Sequence, residues 1–297
     1  MSAARVFLEK LLDYAGLFPP ASLALDQALD HYQSYRSGPW AWMLGRLVLP
    51  AARLDEVAAA LAGRAVEGWA LSVVAERGPD PEAAARAALE GAAALLERHP
   101  GLRLEVLEVP LVSGQGLEAV LTGVARLAPA GLRWIFCEPA GPEETEALVQ
   151  AAAEVRDGVP VGVKLRTGGG VVPEVSFLAR ALSLCGRAGV AVKATAGLHH
   201  PVRHRTPEGR VEHGFLNVFT AAMLAREYSL EPPDLEPILA EENLQAFTFE
   251  EQFMNYENYW LPDETIRRLR SEAAISMGSC SFLEPVEHLQ AAGLLPR

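Results

Sequence analysis

Short apolar runs alternate with Ala-, Leu- and Glu-rich stretches along most of the chain. Apolar runs of roughly four to eight residues bounded by Gly, Pro or charge read as buried strands. They fall at Leu12–Phe18, Leu47–Pro50, Ala70–Ala75, Leu102–Val109, Trp134–Glu138, Val161–Leu165, Val190–Thr195 and Ala274–Gly278. Residues 22–36, 53–64, 80–98, 115–128, 142–156 and 173–188 between them have helical composition, and a last helix is expected at Val286–Ala292. Asp80-Pro81-Glu82 and Gly141-Pro142-Glu143-Glu144 read as helix starts, with Pro in the first turn and acids at the positive end of the dipole.

Eight strand-then-helix units in 297 residues predict a (β/α)8 (TIM) barrel, a single domain over 1–297. A doubly wound sheet is the runner-up, but it opens with a Gly-rich turn that Tyr14-Ala15-Gly16-Leu17-Phe18-Pro19-Pro20 does not match. One segment breaks the rhythm: about 80 residues separate the seventh and eighth strands. Residues 198–270 are read as an insertion on the catalytic face or a cover over the barrel. Its Tyr256, Tyr259 and Trp260 form either a lid or the subunit interface of a homo-oligomer.

Charge narrows the partners. With 26 basic against 38 acidic residues, a net charge of −12 argues against nucleic acid or an anionic membrane as partner. No apolar run is long enough for a signal peptide or a membrane span. Three scattered cysteines, Cys137, Cys185 and Cys280, suit a reducing compartment, so a cytoplasmic protein with a small-molecule ligand is expected. The positive charge is distributed unevenly: 23 arginines stand beside only three lysines, Lys10, Lys164 and Lys193. Two of those lysines interrupt apolar strands. Lysine differs from arginine in that its amine can lose a proton and attack a carbonyl.

In such a barrel the carboxyl ends of the strands converge on one mouth. Those positions hold Asp13, Glu76, Glu105 or Glu108, Glu138, Lys164 with Arg166, Lys193 with Thr195, and Ser279. Glu105 and Glu108 are three residues apart, which puts them on opposite faces of a regular strand, so only one is expected to point inward. Two lysines on neighbouring strands disfavour each other's protonation, and a free amine is what imine formation needs. The bland alternative is that the acids merely neutralise the bases in a structural network. Thr167-Gly168-Gly169-Gly170, Ala196-Gly197 and Gly278-Ser279-Cys280-Ser281 follow the last three strands and suit an anion cradle. Cys280 is not read as a nucleophile, because the sequence assigns it no histidine base.

Taken together, these motifs resemble deoxyribose-phosphate aldolase, a class I, imine-forming barrel. Leu12-Asp13-Tyr14-Ala15-Gly16-Leu17-Phe18-Pro19 is similar to that family's first strand, Leu47-Val48-Leu49-Pro50 to its second and Ile135-Phe136-Cys137-Glu138 to its fifth. Lys164-Leu165-Arg166-Thr167-Gly168 fits its Lys-x-x-Thr-Gly, and Lys193-Ala194-Thr195-Ala196-Gly197 fits its second-lysine motif. The resemblance implies an imine on Lys164, with Lys193 lowering its pKa. It also implies a fourth-strand carboxylate relaying protons, with Glu105 favoured over Glu108. Asp13, Arg166, Thr167, Gly168, Gly169, Thr195, Gly197, His199, His200, Gly278 and Ser279 would bind substrate, and no cofactor is called for. Arg166 departs from the family's small polar residue and suggests a carboxylate-bearing or more acidic substrate, or a partner for Glu138.

A rival reading uses the histidines. His199, His200, His204 and His213 lie within fifteen residues. With Glu138 or Glu108 they would make a divalent-metal isomerase, lyase or hydrolase, although Arg203, Arg205 and Arg210 would repel a cation. A third reading is a non-catalytic binding protein on the same fold.

Overall fold

The structure is a computed structural model describing residues 2–114 and 116–296. Gln115, the first residue of the expected 115–128 helix, lies outside them, as do Met1 and Arg297. Eight parallel strands close into a barrel surrounded by helices. They are β1 (Leu12–Tyr14), β2 (Leu44–Pro50), β3 (Trp69–Val74), β4 (Leu102–Pro110), β5 (Trp134–Glu138), β6 (Val161–Arg166), β7 (Val192–Thr195) and, after the insertion, β13 (Ala274–Ser279). The order around the barrel is β1-β13-β7-β6-β5-β4-β3-β2. The eight expected strands are these eight.

Their ends differ from expectation for local reasons. β1 stops at Tyr14: the Ala15 amide donates to Ser279 O at 2.7 Å and the Phe18 amide turns back to Ala15 O at 2.9 Å. Pro19 and Pro20 then offer no donor to a neighbouring strand. β2 starts at Leu44 rather than Leu47, which takes Arg46 into the barrel wall. The Asp80 carboxylate caps the helix Pro81–Arg98 by accepting from the Ala83 amide at 3.0 Å, as its sequence predicts. Pro142–Glu144, by contrast, is a single tight turn before the helix Thr145–Glu154.

The interior is layered. Val106, Phe136, Ala191 and Ile275 form an apolar cluster with Trp134 packed against it. Val106, Phe136 and Ala191 each precede a charged residue, Glu108, Glu138 and Lys193, by two positions on the same strand face. The charged layer therefore sits one step closer to the carboxyl ends. Gly162 makes room for Phe136, since a Cβ there would lie 2.5 Å from its ring.

Beyond its first residues, which stay beside the mouth, the insertion lies on the barrel's flank. Its helix Phe215–Tyr228 is buried from Phe215 to Ala225, because a helix apolar on every face has to be surrounded. It packs against the helices Val175–Ala188, Pro232–Ala240 and Asp263–Glu272 on the barrel's flank. Asn217 pins it, donating to Ile238 O at 2.7 Å and Glu241 O at 2.8 Å. A small antiparallel pair, β8 (His204–Arg205) with β9 (Val211–Glu212), precedes this helix. A three-stranded sheet of β10 (Phe247–Phe249), β11 (Phe253–Tyr256) and β12 (Tyr259–Pro262) follows it. That sheet packs on Ala3–Leu8, the helix leading into β1 at the opposite end from the mouth: the Ala3 amide donates to Glu250 O at 3.1 Å, and the Phe7 and Phe249 rings meet edge to face at 5.5 Å. Tyr256 and Tyr259 therefore form no lid. Among the described residues, no helix is long and apolar enough to cross a membrane.

Candidate active site

Alternation along β6 and β7 turns Lys164 and Lys193 into the barrel, and the register pairs their Cα atoms directly. Glu108 on β4 bridges them: its Oε2 lies 2.8 Å from Lys164 Nζ and its Oε1 lies 3.2 Å from Lys193 Nζ. Ser72 on β3 donates to the same Oε1 at 2.6 Å. On the mouth side Glu138 Oε2 is 3.0 Å from Lys164 Nζ, while its Oε1 accepts from Arg166 Nη2 at 3.0 Å. On its other side Lys193 donates to Asp13, which also accepts from Ser276 Oγ at 2.7 Å and from the Arg46 amide at 2.9 Å. Arg46 in turn reaches Glu105 at 3.1 Å.

The result is one chain of alternating charge along the barrel, running Arg166, Glu138, Lys164, Glu108, Lys193, Asp13, Arg46, Glu105. Its four cations and four anions cancel, which is how so many charges can occupy a packed interior.

The two glutamates of β4 resolve in a way a regular strand does not allow. The pairing with β3 slips at Glu105, leaving it as the extra residue of a bulge. Both carboxylates consequently meet interior cations. It is Glu108, not the favoured Glu105, that touches the lysines; Glu105 neutralises Arg46.

Burial raises the pKa of the Glu108, Glu138 and Asp13 carboxyls, but the adjacent cations outweigh it and hold all three below the ordinary carboxylate range. Lys164 is governed by the same balance. Burial pushes its pKa down, and Glu108 and Glu138 more than reverse this, leaving it above its ordinary 10.5. The sequence-based expectation of a lowered Lys164 pKa is thus reversed, because two carboxylates lie within 3.0 Å of the amine. The Lys164 side chain is 9% exposed, that of Lys193 1%, and that of Arg166 57%. Access from the mouth therefore reaches Arg166 first, then Lys164.

The loops above the last strands are tightly interlocked. Thr167 Oγ1 donates to Thr195 O at 3.2 Å and Ala196 O at 2.6 Å. Gly168 and Gly197 touch backbone to backbone: a Cβ on Gly168 would lie 2.9 Å from the Gly197 Cα, and Gly197 has φ +76°. Gly169 also has positive φ, +95°. The hydroxyls of Thr167 and Ser279 are spent on these turns, Ser279 Oγ donating to Ser281 O at 2.6 Å, so an anion here would be held by Arg166 and backbone amides. Gly278 pairs with both Asp13 and Thr195, closing the rim. Glu76, at the end of β3, is exposed.

The four clustered histidines do not converge on one point: only His200 and His204 touch. His213 is buried and its Nε2 meets Pro173 O at 2.8 Å. His200 lies against His204 and His288, ring centroids 3.7 and 3.6 Å away, and burial together with those neighbours lowers its pKa to about 4. His204 faces Glu212 at 3.8 Å, and His199 faces Glu284. Among the described residues, no three His, Cys, Asp or Glu side chains are grouped to hold a metal ion.

Sequence reasoning missed Ser72, Ser276, Arg46 and Arg77. Ser72 and Ser276 are lone polar residues in apolar strands, a signal that alternation could have caught. Arg46 fell outside the expected strand. Arg77, from the loop after β3, reaches Glu138 Oε1 at 3.8 Å and donates to Leu111 O at 2.8 Å, with no sequence signal to mark it.

No family model and no curated protein matches the sequence. Among solved structures, the fold is similar to deoxyribose phosphate aldolase from Aeropyrum pernix, described as a unique tetramer. The TM-score is 0.51 at 15% identity, over 98% of this chain and 93% of that one. A Toxoplasma gondii ME49 protein provisionally named deoxyribose-phosphate aldolase gives 0.39 at 13% identity, over 97% and 94% of the two chains. A Pseudomonas aeruginosa protein provisionally named an aldo-keto reductase gives 0.41 at 10% identity, over 78% and 88%. The first likeness shows a common barrel architecture, and the other two carry no weight.

Proposed function

We propose that this chain is a class I aldolase-like lyase that cleaves or forms a carbon–carbon bond in a small carbonyl compound carrying an anionic or phosphate group. The reaction passes through an imine on Lys164. The observation that supports this reading is the pair of register-matched lysines sharing the Glu108 carboxylate beneath an arginine- and glycine-lined mouth. A barrel filled for stability alone uses apolar layers at this depth.

The chemistry follows from the neighbours of Lys164. In the resting site two carboxylates hold it as an ammonium. A substrate anion that draws Arg166 away from Glu138 leaves that carboxylate with a weaker cationic partner. Its proton affinity rises, and it accepts the Lys164 proton. The freed amine attacks the carbonyl carbon, and water leaves to form the iminium. Glu138, having given its proton to the departing water, takes the proton of the hydroxyl beyond the breaking bond, so the first product leaves as a carbonyl compound and the iminium takes up the bond's electron pair as an enamine. Protonation and hydrolysis then release the second product and regenerate the amine. Lys193, held by Asp13, fixes Glu108 in place and keeps the site's net charge from turning negative.

The test is borohydride trapping with small aldehydes, ketones and 2-oxo acids, read by peptide mass spectrometry. Only three lysines exist, so the adduct is assigned without ambiguity. An adduct on Lys164 supports the reading, and absence of any adduct across the panel overturns it. The complete pairing of the interior charges favours a second reading, a non-catalytic binding protein. In that case Lys164→Ala leaves ligand affinity nearly unchanged, and no compound turns over. Exposed rings at Tyr228, Phe253 and Trp260 support a homo-oligomer, which sedimentation velocity would test.

A further inference from the structure

Outside the lysine network, a thiol stands beside a base at the mouth. Cys280 follows β13 at the mouth and is partly exposed, whereas Cys137 and Cys185 are buried. Its Sγ lies 3.9 Å from Nε2 of His199, across 81 residues of sequence. The other ring nitrogen, Nδ1, is 2.6 Å from Glu284 Oε2, an ion-pair approach that lacks hydrogen-bond alignment. A thiol, an imidazole and a carboxylate in this order are the nucleophile, base and orienting group of cysteine-based catalysis, and such contacts are looser before a ligand binds.

The turn is built to hold them. Ser279 Oγ donates to Ser281 O at 2.6 Å, Ser281 Oγ accepts from the Glu284 amide at 3.2 Å, and the His199 carbonyl meets His288 Nδ1 at 2.9 Å. The Cys280 contact foremost, opposed by burial and aided by Glu284, places the His199 pKa above its ordinary value. Its other titratable neighbours are His200 and His288, with Tyr14 near the thiol.

We propose that Cys280, His199 and Glu284 form a nucleophilic thiol site at the barrel mouth that adds reversibly to the carbonyl carbon of a small aldehyde. The sulfur–carbon bond forms as the carbonyl π bond breaks. His199 takes the thiol proton and returns it to the carbonyl oxygen, giving a hemithioacetal with no oxidant or co-reactant. The aldehyde class rests on the lyase reading above, while the activated thiol does not. The site would hold an aldehyde as it enters or leaves the neighbouring lysine.

The experiment is iodoacetamide alkylation at pH 7, followed by peptide mass spectrometry, on the full chain. Cys280 is expected to react about tenfold faster than glutathione, with Cys137 and Cys185 unmodified. His199→Asn is expected to return it to the glutathione rate, and Glu284→Gln to an intermediate one. A wild-type rate equal to glutathione and indifferent to His199→Asn overturns the proposal. Propanal should then slow the alkylation saturably, both in wild type and in Lys164→Arg, which keeps the cation but forms no imine. Protection in both supports the hemithioacetal. Protection lost in Lys164→Arg assigns the aldehyde to the lysine alone and overturns the aldehyde half. Failure of borohydride trapping with the fast thiol intact would overturn the lyase reading and leave the thiol site standing.

Discussion

Lys164 and Lys193 sit directly opposite each other on adjacent strands, and the single carboxylate of Glu108 reaches both ammonium groups, at 2.8 and 3.2 Å. Two cations this close are tolerable only with an anion between them. Glu108→Gln keeps the shape and removes the charge, leaving two buried ammoniums facing a neutral amide. Removal of one partner from a buried ion cluster costs about 3–5 kcal/mol. Chemical denaturation should show a loss of this size. The exposed Glu76→Gln should stay within about 0.5 kcal/mol of wild type. Equal effects from the two variants would mean that Glu108 does not hold the lysines together.

Lys164→Ala and Lys164→Arg separate the amine's chemistry from its charge. Alanine leaves Glu108 and Glu138 facing each other without their shared cation, so a large loss of stability is expected. Arginine keeps the cation and cannot form an imine. Cooperative unfolding near the wild-type midpoint with no borohydride adduct is therefore expected for Lys164→Arg. An adduct persisting there would move the chemistry to another lysine.

Much of this layout was visible in the pattern of the chain. Alternation alone puts Glu138, Lys164 with Arg166, and Lys193 with Thr195 on inward faces, and the four charged ones meet there. Alternation failed at Glu105, because a bulge adds a residue that strand periodicity does not encode. Arg46 was lost when β2 was begun at the apolar Leu47 instead of Leu44. The flank position of Phe215–Tyr228 is not legible, because a helix apolar on all sides shows that it is buried, not which side of a barrel it covers. The pairing of Cys280 with His199 was invisible for a similar reason. The two lie 81 residues apart across that insertion, and only the parallel pairing of β7 with β13 brings the ends of those strands together.

The acid limb of stability follows from three lowered carboxyl pKa values. Asp13, with an ordinary value of 3.8, and Glu108 and Glu138, at 4.5, bind protons less readily folded than unfolded. Below those ordinary values the unfolded chain takes up more protons, so stability falls as pH drops. Their contribution is fully present above about pH 5 and is lost as pH falls through the lowered folded values. Their share of the denaturation midpoint should be flat above about pH 5 and decline below about pH 4, beneath a separate fall that starts near pH 6.5 because His200, with its pKa lowered to about 4 in the fold, binds its proton more readily unfolded. Asp13→Asn should show a shallower acid decline at a lower overall stability. An unchanged slope would show that Asp13 is not among the groups responsible.

The glycine contact above the mouth is a further check. Gly197 has φ +76°, and its Cβ would lie 2.9 Å from the Gly168 Cα. Gly197→Ala pays for the left-handed backbone, about 1–2 kcal/mol, and pushes two loops apart. The expected result is a modest loss of stability with a disproportionate rise in KM for an anionic substrate. An unchanged KM would remove this cradle from the binding site.

The raised Lys164 pKa makes a signed prediction for imine formation. With Glu108 and Glu138 holding the proton, the free-amine fraction at neutral pH is smaller than for an ordinary lysine. For an uncharged aldehyde such as propanal, the initial trapping rate should rise about tenfold per pH unit between about 7 and 10. A 2-oxo acid carries its own anion to Arg166, which loosens Arg166 from Glu138 and lets that carboxylate take the proton. Its profile should be shallower, and its rate at pH 7 higher relative to propanal. Arg166→Gln should abolish that difference and make the acid titrate like the aldehyde. Identical profiles for the two compounds in wild type would mean that the anion does not act through Arg166 and Glu138. The proton of Lys164 would then have to leave by way of Glu108, the only other carboxylate within ion-pair distance among the described residues.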